Sequence, residues 1–108
     1  MRFEEHVERA LASLPPELQH AVRNLEIAVE DEHPEDPDIF GLYEGVPLPD
    51  RGDWAGELPD RIRIFRVPLV ESFPDPAELE DEIRITVLHE LAHYFGIDED
   101  RLEELGYS

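Results

Sequence analysis

The sequence predicts a single α+β domain spanning residues 1–108, with a few helices packed on a short sheet. Three observations lead there. Helical periodicity recurs near both ends of the chain, at residues 3–13, 17–23 and 76–95. Strand-like alternation is confined to two short runs, 25–30 and 61–67. The chain has 108 residues, 41% of them apolar, which suits one modest core rather than a cleft between two lobes.

Taken in order, Phe3, Val7, Ala10, Leu11 and Leu14 fall on one helical face. Pro15-Pro16 interrupts it, and Pro16 suits the first turn of a second short helix over 17–23. In LEIAVE, Leu25, Ile27 and Val29 alternate with Glu26, Ala28 and Glu30, which predicts a strand with one buried face. From Asp31 to Pro59 regular periodicity is lost among prolines, glycines and acidic residues. The apolar anchors Ile39, Phe40, Leu42, Tyr43 and Trp54 predict a tethered loop, with a short helical or turn segment near 38–43. RIRIFRV, 61–67, is the clearest strand, and Pro68 just after it predicts a position at a sheet edge.

The segment FPDPAELEDEIRITVLHELAHYFG carries start and stop signals for one long helix. Asp75 can act as N-cap, Pro76 fits the first helical position, and Glu78 falls where a capping-box carboxylate would. Leu79, Ile83, Val87, Leu91 and Phe95 follow at steps of four, and Gly96 supplies a left-handed stop. Beyond it, Leu102 and Leu105 predict a last short helix over 98–105.

Charge narrows the function classes. Nine basic residues, all arginine, stand against twenty-eight acidic ones, for a net charge of −19. Such a surface repels phosphates and anionic lipid, so neither nucleic acid nor membrane is an expected partner, whereas cations are attracted. Without cysteine there are no disulfides and no thiolate metal sites. The N-terminal stretch is charged and amphipathic, unlike a signal peptide, and no run reaches the ~18 apolar residues of a membrane span. The expected location is the cytoplasm.

Chemistry concentrates in HELAH, residues 89–93. Residues four apart on a helix lie one above the other, so His89 and His93 can face one ion as neutral imidazole ligands. Glu90 is rotated by about 100° from His89, beside rather than on the metal, where a general base for a bound water belongs. Five His and eighteen Glu generate HExxH by shuffling only about 0.04 times, which favours a metal site over chance. The aliphatic stripe Leu79, Ile83, Val87 and Leu91 lies on one side of this helix, with Thr86, His89, Glu90 and His93 on the adjoining side. A third ligand is expected past Gly96, where the chain can turn back. Register selects Glu99 first, then Asp98, with Asp100 and Glu103 after them. Tyr43, Tyr94, Tyr107 and His33 are the candidates for stabilising an oxyanion, while His6 and His20 fall on expected surface helices without a role.

HELAHYFGIDEDRLEELGY, together with FGLYEGVPL and GELPDRIRIFRVPL, resembles the small bacterial zincin-like metallopeptidase family over most of the chain after about residue 25. That resemblance implies a minimal zincin fold, a short twisted sheet with the HExxH helix at its centre. It also implies a Zn²⁺ ion at His89 and His93, an acidic third ligand at Glu99, and Glu90 as catalytic base. The implied activity is hydrolysis of peptide bonds in a peptide or flexible protein segment. The alternative is a zinc-binding protein of the same fold that has no peptidase activity and acts as a binding or regulatory module. The chain departs from the metzincin pattern in two ways: Glu99 stands where a histidine would, and with Met1 as the only methionine there is no Met-turn.

Overall fold

The computed structural model describes residues 2–23, 25–45, 60–96, 100 and 104, apart from the side chain of Glu17. Helix α1, Phe3–Ala12, buries Phe3, Val7 and Ala10 as its spacing predicts. Helix α2, Pro16–Val22, begins on its first-turn proline. Strand β1, Glu26–Glu30, turns Ile27 and Val29 toward the core.

Strand β2, Gly41–Glu44, is the first correction. The chain does make a turn before it, with the Ile39 N–H donating to the Asp36 carbonyl at 3.4 Å, but FGLYE then extends instead of coiling. Strand β3, Arg61–Phe65, lies in the middle of the mixed sheet, order β1-β3-β2, parallel to β1 and antiparallel to β2. The expected edge position is therefore wrong. Pro68 does not end a strand beside solvent; it occupies the first turn of helix α3, Arg66–Ser72, where its missing N–H leaves no bond unmade, and it is buried there.

Helix α4, Pro76–Tyr94, follows the sequence signals closely. The Glu78 N–H donates to Asp75 Oδ2 at 3.0 Å, Pro76 opens the helix, and Gly96 adopts φ 78° while its N–H donates to the His93 carbonyl. The core lies between α4 and the sheet. Ile83, Val87 and Leu91 of α4 meet Ile62 and Ile64 of β3, with α1 closing one flank and Leu69 of α3 the other. Ile62, Ile64, Ile83 and Val87 are all 0% exposed, so the helix that carries HELAH is anchored by its aliphatic side.

On β3, Arg63 reaches across its neighbours. It makes a two-pronged contact with Glu30 of β1 at 2.9 and 2.7 Å and lies 3.6 Å from Glu44 of β2, while Arg61 Nε donates to Glu44 at 2.7 Å. These arginines tie the three strands together. His6 needs correction too: far from lying on a surface, it is 7% exposed between α1 and α4, its Nδ1 3.1 Å from Glu80 Oε1. His20 is exposed.

Candidate metal centre

Two turns of α4 bring His89, Glu90 and His93 together. Each offers a donor atom, and the three atoms lie within 4.8 Å of one another; the two imidazole rings are 5.0 Å apart, centre to centre. The local cause is the helical repeat. With Val87 and Leu91 held in the core, positions 86, 89, 90 and 93 must emerge on the flank of the helix that borders β2. Thr86 and Glu90 are buried there, and the histidines are half-buried. Two imidazoles with a carboxylate alongside form a donor set that suits zinc and other borderline divalent cations, so these residues fit the expected metal.

Strand β2 supplies the other wall. In the antiparallel pairing, the Phe65 N–H donates to the Phe40 carbonyl, so by alternation Gly41 and Tyr43 turn their backbone groups away from β3. The outward Tyr43 N–H donates to Glu90 Oε1 at 2.8 Å. A main-chain donor on the sheet edge thus orients the carboxylate of HELAH. Strand and helix are in close contact at this point: a Cβ built on Gly41 would lie 2.6 Å from Thr86 Cγ2 and 3.5 Å from Glu90 Cγ. Thr86 in turn donates its hydroxyl to the Glu82 carbonyl at 2.8 Å. Sequence reasoning missed both Gly41 and the Tyr43 amide. A glycine between Phe and Leu-Tyr was the available signal, since glycine in an apolar run marks close backbone approach.

The remaining candidates separate. Glu99, Asp98, Glu103 and Tyr107 lie outside the described residues, and Asp100 is exposed. His33 serves its own turn, its Nδ1 accepting the N–H groups of Glu35 and Asp36 while its ring meets Phe65 edge-on. Tyr43 and Tyr94 pack edge-to-face at 5.9 Å, with Tyr94 buried in the core. Among the described residues, no helix is long and apolar enough to cross a membrane.

The sequence profile of zincin-like metallopeptidases matches residues 22–107. The chain belongs to that family. Among solved structures it is similar to a conserved hypothetical protein from Thermus thermophilus, 26% identical, with 96% of this chain and 94% of that chain covered and a TM-score of 0.57. No curated protein matches it. In a zincin-like chain the two histidines and the glutamate of the helix are the expected focus of chemistry, and these are the residues that converge beside β2.

Proposed function

We propose that this protein is a zinc-dependent metallopeptidase acting on peptides or flexible protein segments in the cytoplasm, with His89 and His93 as metal ligands, Glu99 as the third, and Glu90 as general base. One observation carries the reading: Glu90 is buried beside both imidazoles and is oriented by a backbone amide of the sheet edge, an arrangement a merely solvated helix face does not need. Zinc bound there supplies Lewis acidity, lowering the pKa of a water toward ~7 and polarising a carbonyl. Glu90 then accepts the proton of the attacking water and passes it to the leaving amine. Because β3 is internal, β2 is the strand along whose outer edge an extended peptide can add, beginning at the outward-facing backbone groups of Gly41.

The test uses zinc-loaded protein and a broad peptide library. Glu90→Gln keeps an acceptor for the Tyr43 amide, so it should retain metal and fold while losing cleavage by about 10²–10⁴-fold. His89→Ala with His93→Ala should lose both the metal and the rise in melting temperature that zinc produces in the parent. A parent that binds one zinc and cleaves nothing indicates instead a binding module built on the same site.

A further inference from the structure

Next to the candidate centre, toward the N-terminal half of α4, a cavity of about 470 Å³ opens between that helix and the segment leading into β2. It shares His89 and Glu90 with the centre, so whatever fills it continues directly from the reacting groups. Its volume falls within the range of ligand pockets. The walls are apolar: Ile39 and Phe40 on one side, and on the other Ile85, which is 37% exposed and one of the two large apolar residues most open to solvent among those described. Two carboxylates, Asp38 and Glu82, stand over these walls from opposite sides.

Arg2, Arg9, Arg61, Arg63, Arg66 and Arg84 each pair with a carboxylate elsewhere. Among the described residues, no arginine lines the cavity and neither Asp38 nor Glu82 has an ion-pair partner. A pocket with an apolar body and two unneutralised carboxylates complements an aliphatic stem ending in a cation. Lysine and arginine side chains have that form, burying their methylenes along apolar surface while the charged head meets oxygen acceptors.

We infer that this cavity is a specificity pocket for an arginine or lysine side chain of the bound peptide, with Ile39 and Ile85 flanking the stem and Asp38 and Glu82 receiving the charge. The inference rests on the peptide-binding reading above and names the substrate side chain that the site selects.

Binding and cleavage are measured separately. Zinc-loaded Glu90→Gln protein is titrated calorimetrically with peptides carrying arginine, lysine, leucine or citrulline at one scanned position, and the parent is assayed for cleavage of the same set. Arginine should bind at least about tenfold tighter than its neutral isostere citrulline, at one position only, as expected for charged hydrogen bonds. Asp38→Asn with Glu82→Gln should abolish that preference and leave the leucine peptide within about twofold, whereas neutralising Glu5 and Glu8, which are exposed on α1 and do not line the cavity, should change neither. Equal binding of arginine and citrulline, a preference that moves freely along the peptide, or no binding of any peptide overturns the proposal. Cleavage without basic preference sinks the pocket and spares the peptidase. A positional preference without cleavage does the reverse.

Discussion

Replacing Gly41 by alanine tests the contact that joins the sheet edge to the histidine-bearing helix. Gly41 is not at positive φ, so the cost is steric rather than conformational. The new methyl would sit 2.6 Å from Cγ2 of the buried Thr86 and 3.2 Å from the Arg63 carbonyl of the central strand, so the branched side chain or the strand must shift. Overpacking of this kind costs about 1–3 kcal/mol, partly offset by about 0.4–1 kcal/mol from the stiffer unfolded chain. The net is about 1–2 kcal/mol, and at roughly 4 °C per kcal/mol for a domain of this size the melting temperature should fall by about 4–8 °C. Thr86→Ser keeps the hydroxyl bonded to Glu82 and deletes the clashing methyl, so adding it to Gly41→Ala should recover most of the loss. Thermal unfolding of the four proteins closes the cycle. If Gly41→Ala alone is as stable as the parent, or Thr86→Ser does nothing for it, the close approach of β2 to α4 has been misread.

Further outcomes follow from the cap and the ion pairs. Asp75→Ala removes the acceptor for the Glu78 N–H and should cost about 1 kcal/mol in urea unfolding, whereas Asp75→Asn, which can still cap, should cost little. The Arg63 guanidinium, by direct hydrogen bonding and then by charge, holds the Glu30 carboxyl below its ordinary value of 4.5. A lowered carboxyl stabilises fully above that value and loses its contribution as pH falls through its folded-state value. The melting-temperature gap between parent and Glu30→Gln should therefore be complete at neutral pH and narrow below pH 4.5; a constant gap down to strongly acid pH would contradict the assignment. His6 and then Arg9 lower Glu80 in the same sense, so Glu80→Gln should show the same narrowing.

The long helix was legible because its signals are local: an Asx cap, a first-turn proline, an aliphatic residue every fourth position and a terminal glycine. The spacing of HELAH placed its histidines on the correct flank for the same reason. What escaped the sequence depends on distant partners. Strand β2 is four residues long and begins on a glycine that looks like loop punctuation, yet that glycine is there because Thr86, forty-five positions later, leaves no room for a side chain. Pro68 ends one element and starts another with equal ease, and only the presence of β2 on the far side of β3 decides between them. His6 looked solvated among glutamates. Its spacing from Phe3 and Ala10 put it on the buried face, but the partner that satisfies it, Glu80, lies 74 positions away.

The strand that completes the sheet comes last, at residues 61–65, and slips between two segments that have already left the ribosome without touching one another. While the chain is being made, β1 and β2 wait with open edges, and the histidine-bearing helix emerges later still. The cluster of His89, Glu90 and His93 cannot meet strand β2 until residues 61–94 have followed it out, so a product that stops before helix α4 should lack that cluster and be prone to sticking.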